Sequence, residues 1–253
     1  MKLGLFFMPL TRPGQEIGEA MEEARRKALF LDETGVDEFW LGEHFSATSE
    51  PIPSPLAFMS SLVPQTRRLT FCTGVIGLPY RHPAVIAGEV AQFDHLAKGR
   101  FRFGIGTGSL PPDWEMFGLE DEAARKRMLL ESIGVIQKIW SSDPPYRFDG
   151  EFWNFGVERT VDPALRMGGM PKPRTPGGPP IHVSVATPNS STAKLAGERL
   201  TDAEQLAWLD GLFRVPDLFH HLVVGAADYD AIVLSPYLWW TTVTGAAVAP
   251  ERT

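Results

Sequence analysis

The chain has 253 residues, of which 43% are apolar and 22% charged, and 24 Lys and Arg against 31 Asp and Glu leave a formal charge of -7. That length suits one large α/β barrel or two small domains with a sizeable core, while the acidic balance argues against a phosphate-backbone binder, which needs a basic face. The single cysteine, Cys72, excludes an internal disulfide framework and a cysteine-cluster zinc site, and it fits a reducing compartment.

Leu3 to Met8 is a short apolar run closed by Pro9 and Pro13, which predicts a strand buried on both faces. It follows Met1 and Lys2 with no cleavage-site pattern, and no apolar run reaches the roughly 18–20 residues of a membrane helix, so a cytoplasmic, globular protein without contact to a membrane is expected. Ile17, Met21, Ala24, Ala28 and Leu31 recur every three or four residues, a helix that Gly35 stops. Phe39 to Gly42 reads as a second strand, Leu56 to Leu62 as a helix, Leu69 to Ile76 as a third strand, and Ala84 to Leu96 as a helix ended by Gly99. Phe101 to Ile105 is a fourth strand. Glu120 to Trp140 is a long helix whose acidic start and Lys138 near its end match the helix macrodipole. Tyr146 to Phe155 reads as a hairpin around Asp149-Gly150, Asp162 to Pro180 as a loop, Ile181 to Ala186 as a fifth strand, and Ser191 to Arg199 as a helix. Regular alternation of strand and helix means parallel strands with right-handed crossovers, in an open sheet or a (β/α)8 barrel.

Several strand ends carry chemistry. Gly104-Ile105-Gly106-Thr107-Gly108 follows a strand but fails as a dinucleotide fingerprint, because Ser109-Leu110-Pro111-Pro112 cannot open a helix directly and the third glycine is absent. A tight turn and close backbone approach to a planar ligand both remain open for it. His44, after the second strand, and His82, after the third, stand where a barrel places its active site; each could be a general base or a surface loop residue, and two together favour a shared site. No His-x-x-His pair supports zinc. Asn189, Ser190, Ser191 and Thr192 lead into a helix, either as a simple cap or as a phosphate cradle at its positive end. Trp114, Phe117, Trp140, Trp153 and Phe155 read mainly as packing.

Trp40-Leu41-Gly42-Glu43-His44-Phe45 resembles the strand-two signature of the bacterial luciferase-like flavin monooxygenases. The likeness continues through Ser54-Pro55-Leu56, Thr66-Arg67-Arg68-Leu69, Gly74-Val75, His82-Pro83, Asp94-His95-Leu96, Gly99 to Gly106, Arg127-Met128, Trp140 and Gly150-Glu151-Phe152-Trp153. Together these cover residues 1 to about 200. The resemblance implies a single (β/α)8 TIM-barrel domain over residues 1–253, usually dimeric, that binds FMN at the C-terminal ends of its strands. It implies that reduced FMN from a separate flavin reductase reacts with oxygen to oxidise a small or medium apolar organic substrate. By the same resemblance His44 is the catalytic imidazole, and His82 lines its cavity. Cys72, Thr73 and Gly74 run beneath the flavin ring, where the family often has a non-proline cis peptide. Gly106, Thr107 and Gly108 approach the ribityl and phosphate end, and Asn189, Ser190, Ser191 and Thr192 hold the phosphate.

Two departures stand out. Thr107 occupies a position where some relatives place an arginine on the phosphate. After Arg199 the pattern weakens: Thr201 to Phe213 reads as a helix, Leu222 to Val224 and Ile232 to Leu234 as short strands, and Trp239 to Ala249 as loop, short of the eight strands that closure requires. The expected barrel is therefore incomplete or trimmed in its C-terminal third. Two alternatives follow, a non-catalytic flavin-binding homologue and a deazaflavin-dependent oxidoreductase.

Overall fold

The computed structural model describes residues 2–185, 208–209 and 231–234. Their elements follow in chain order: β1 (Lys2–Phe7), α1 (Ile17–Thr34), β2 (Glu38–Leu41), α2 (Pro55–Leu62), β3 (Thr70–Thr73), β4 (Ile76–Gly77), α3 (Pro83–Leu96) and β5 (Phe101–Gly106). Then come α4 (Pro111–Phe117), α5 (Glu122–Ser141), the antiparallel pair β6 (Tyr146–Asp149) and β7 (Asn154–Val157), β8 (Ile181–Val185), β9 (Trp208–Leu209) and β10 (Ala231–Leu234).

The main sheet is parallel, in the order β10-β1-β2-β3-β5-β8-β9, with β4 also paired to β5. Helices alternate with strands along it, so the fold is α/β of the TIM-barrel type. Registers align Phe39 with Phe71 and Phe71 with Phe101 on one face, and Trp40 with Cys72 and Cys72 with Arg102 on the other. The two faces do different work.

The phenylalanine face packs under the helices. Phe39, Leu41, Phe71, Phe101 and Phe103 join Ala24 and Ala28 of α1, Met59 and Leu62 of α2, Val90 and Phe93 of α3, and Ile136 and Trp140 of α5 in one buried core. The three alanines of α1, Ala20, Ala24 and Ala28, are spaced by one helical turn and let it lie close. Gly35 ends that helix with a φ of 93°, a left-handed conformation open to glycine. Ser54 caps α2, and Asp121 caps α5 by accepting from the amides of Ala123 and Ala124.

The opposite face is polar and aromatic. Glu38 accepts from Arg102 Nε at 2.6 Å and from Trp40 Nε1 at 3.0 Å. The Trp40 ring meets His182 edge-on at 5.4 Å. Gly104 has no alternative there, because a Cβ would stand 1.8 Å from the Thr73 carbonyl oxygen. Parallel strands deliver their C-terminal ends to one edge of the sheet, so Met8, Glu43, Gly74 and Thr107 emerge on the same side.

Three expectations need correction. The single strand from Leu69 to Ile76 is two strands, interrupted at Gly74–Val75, whose peptide is cis. A helix does open directly after the glycine turn: α4 begins at Pro111, where a proline is tolerated because a first-turn N–H has no helical partner. The helix expected over Thr201 to Phe213 gives way at Trp208–Leu209 to β9, paired with Ser184 and Val185. Ile232 to Leu234 falls within β10; the helix from Ser191 to Arg199, the strand at Leu222 to Val224 and the loop at Trp239 to Ala249 lie outside the described residues.

Replacing Glu38 with alanine strands the Arg102 guanidinium and the Trp40 indole N–H in a largely buried setting. We expect urea unfolding to report a loss of about 3–5 kcal/mol; a loss below about 1 kcal/mol contradicts this role.

Candidate active site

The loop leaving β2 is built from buried carboxylates. Glu43 accepts from the Gly77 amide at 3.1 Å and from Arg81 Nη1 at 2.8 Å, and Arg81 Nη2 lies 2.6 Å from its other oxygen. This bidentate pair ties the end of β2 to β4 and the turn beyond it. Burial pushes the Glu43 carboxyl up, and the guanidinium and the Gly77 N–H act against that push.

Asp113, buried at the start of α4, reaches back to the same loop. It accepts from the amides of Phe45 at 3.3 Å and Ser46 at 2.8 Å, and from the Ser46 hydroxyl. His44 lies between these two anchors. Its Nδ1 is buried and ion-paired with Glu50, itself buried, while the side chain as a whole keeps 18% of its surface exposed. Burial disfavours charge on the imidazole, but the Glu50 carboxylate, reinforced by Asp113 and Glu43, outweighs it, so the His44 pKa stands above its ordinary value.

Tyr80, Phe45 and Phe117 form an aromatic wall beside this loop. Tyr80 and Phe117 stack at 4.9 Å, and Phe45 meets Phe117 edge-on at 5.0 Å and Tyr80 at 5.7 Å. Burial, followed by the Asp113 charge, pushes the Tyr80 phenol up to about 12. Trp114 Nε1 and Tyr80 Oη are both buried and lie within reach of each other. Gly108, at φ 81°, passes so close that a Cβ there would stand 1.8 Å from Tyr80 Oη.

The residues singled out in the sequence separate into groups. His44, Gly74, Thr107 and Gly108 all retain accessible surface at the C-terminal edge of the sheet. Cys72 and Thr73 are wholly buried strand residues, and the Thr73 hydroxyl donates to the Gly104 carbonyl at 2.8 Å. Gly106 is buried too, with the Val75 side chain 2.7 Å from where its Cβ would stand. His82 is held by α3 and the β6–β7 hairpin. Its Nδ1 accepts from the Ala84 amide at the start of α3, and its ring packs on Trp153 at 5.1 Å and Phe155 at 4.4 Å of the β6–β7 hairpin. Asn189, Ser190, Ser191 and Thr192 lie outside the described residues.

Glu50, Asp113, Tyr80 and Arg81 carry the site and went unnoticed in the sequence. Asp113 meets Ser46 across 67 positions, a pairing with no local pattern. The Pro111-Pro112 pair could have found it, read as the first turn of a helix and not as a break.

A planar hydrogen-bonding cofactor fits this edge. The partly exposed His44 and the accessible backbone at Gly74, Thr107 and Gly108 can face a flat ligand with hydrogen-bonding groups. The described residues show no group of three or more His, Cys, Asp or Glu able to hold a metal ion, and no helix long and apolar enough to cross a membrane.

Comparison with known proteins gives this arrangement a setting. A family model described as luciferase-like monooxygenase matches residues 1–201. The 4-hydroxyprotoasukamycin monooxygenase of Streptomyces nodosus subsp. asukaensis is 34% identical over 198 residues, 78% of this chain and 50% of that protein. The oxygenase component of a flavin-dependent trigonelline monooxygenase from Acinetobacter baylyi is 31% identical over 193 residues, 75% of this chain and 50% of that protein. The chain thus spans about half the length of these curated relatives. Among solved structures, the oxygenating constituent of 3,6-diketocamphane monooxygenase from Pseudomonas putida, in complex with FMN, superposes with a TM-score of 0.75 at 25% identity, covering 100% of this chain and 63% of that one.

The raised His44 pKa has a consequence for stability. Pairing with Glu50 stabilises the folded state fully below the pKa of an unfolded histidine, and the contribution disappears as pH rises through the higher folded-state value. The difference in unfolding free energy between the protein and His44→Gln therefore shrinks as urea titrations move from mildly acidic to alkaline pH; a difference that grows with pH contradicts the assignment.

Proposed function

Because this chain belongs to the luciferase-like monooxygenase family, we propose that it is the oxygenase component of a two-component flavin-dependent monooxygenase, acting with reduced FMN and oxygen on a small or medium apolar organic substrate. The observation that carries this reading is His44, held at the C-terminal edge of the sheet with one ring nitrogen engaged and the ring partly exposed. FMN is the cofactor bound by the Pseudomonas putida neighbour. The trigonelline relative, named as an oxygenase component, supports a separate reductase as partner.

When bound, reduced FMN supplies the electrons that activate oxygen. The protein's own contribution is placement. Backbone at Gly74, Thr107 and Gly108 would lie alongside the flavin, with Cys72, Thr73 and Gly106 shaping the strands beneath it. Tyr80 and Trp114 would pack beside it, and Asn189, Ser190, Ser191 and Thr192 would hold its phosphate. His44 would give or take a proton at Nε2. The wall of Tyr80, Phe45 and Phe117 excludes water and receives an apolar substrate. His82 is left out of the catalytic set, since its contacts are those of a cap and a packing residue. A homodimer is part of the proposal, as it is usual for the family this chain resembles.

Two measurements test the reading. Fluorescence titration is expected to show FMN binding in preference to a deazaflavin, and His44→Ala is expected to retain that binding while oxygen-dependent oxidation falls by about 10²–10⁴-fold. Preference for the deazaflavin, or undiminished oxidation by His44→Ala, overturns it.

A further inference from the structure

The loop that carries His44 also carries its partner, and it is fastened along its length. Glu43 is locked to Arg81 and Gly77, and Phe45 and Ser46 to Asp113. The Thr11 amide donates to the Ser49 carbonyl at 2.7 Å, and the Thr11 hydroxyl to the Thr48 carbonyl at 3.1 Å. The Glu50 amide closes a turn onto Ala47 at 2.9 Å, the Ile52 amide bonds the Glu50 carbonyl at 2.9 Å, and Ile52 is buried in the core. A loop held at so many points presents a carboxylate in one place.

We propose that Glu50 is a positioning residue for His44: its carboxylate accepts the Nδ1 proton, fixes the rotation and tautomer of the ring, and leaves Nε2 as the working nitrogen at the edge of the sheet. What Nε2 does there rests on the flavin monooxygenase reading; the positioning itself does not. Nδ1 is the buried nitrogen, so it cannot serve a ligand. With Nδ1–H kept by Glu50, neutral His44 offers a lone pair at Nε2 and protonated His44 offers an N–H at the same atom. One ring can then act as acceptor and donor without turning.

The charges around the ring agree. Glu50, Glu43 and Asp113 all favour its protonated form, Arg81 is engaged by Glu43, and the Tyr80 phenol remains neutral at ordinary pH. Glu50 is the nearest of the carboxylates and makes the largest favourable contribution. Removing its charge while keeping its shape therefore separates positioning from packing.

The test is a nitrogen-15 NMR titration of the histidine rings in the full chain without flavin, with His44 assigned by its loss in His44→Gln. The wild-type ring is expected to hold its neutral-state proton on Nδ1. In Glu50→Gln its proton affinity is expected to fall on the order of tenfold or more, and Glu50→Asp to recover part of that loss. In a flavin-loaded assay the acid limb of turnover moves the same way, with the FMN dissociation constant unchanged. A wild-type neutral ring protonated on Nε2 overturns the proposal without need of any variant. So does an unchanged His44 titration in folded Glu50→Gln. A chain that binds no FMN yet keeps the Nδ1 proton upholds the role of Glu50 and overturns only the flavin reading.

Discussion

The placement of His44 depends on buried carboxylates whose charges are answered inside the protein. Glu43 has a guanidinium and an amide, Asp113 has two amides and a hydroxyl, and Glu50 has the imidazole itself. An ionised carboxylate taken out of water is costly unless such partners are in place, so each anchor constrains where its donors stand. Those donors belong to β4, the turn beyond it, and the loop after β2. The anchors thus convert two independent strand ends into one fixed edge, with a histidine between them.

Below that edge the sheet divides its work. Helix-facing phenylalanines join a continuous apolar core, the ordinary source of stability in such a fold. The other face carries Glu38, Arg102, Trp40 and His182, polar groups held by one another beneath the strand ends. Chemistry and stability are then separated by direction: outward side chains hold the helices, and residues past the strand tips meet the ligand.

Most of the scaffold was legible because period and punctuation agree. The apolar run of β1, the four-residue spacing of Ala20, Ala24 and Ala28, and the left-handed Gly35 each state their element locally. The break between β3 and β4 was hidden because Leu69 to Ile76 carries neither a charge nor a proline to mark it, and α4 because consecutive prolines resemble a stop. In the candidate site, position at a strand end says where His44 and His82 emerge and not what each touches. His82 touches the hairpin, and only the packing of Trp153 and Phe155 decides that. Glu50 and Asp113 had no local signal, because their meaning arises from partners brought together by the fold. Family likeness pointed to the cofactor class, and the contacts of single side chains had to come from coordinates.

The most direct examination of this account is a crystal structure of the full chain grown with FMN. The account predicts the flavin ring over Gly74 at the C-terminal edge of the sheet, with His44 Nε2 turned toward it and Nδ1 still on Glu50. A flavin bound elsewhere, or a His44 ring turned so that Nε2 meets Glu50, contradicts it.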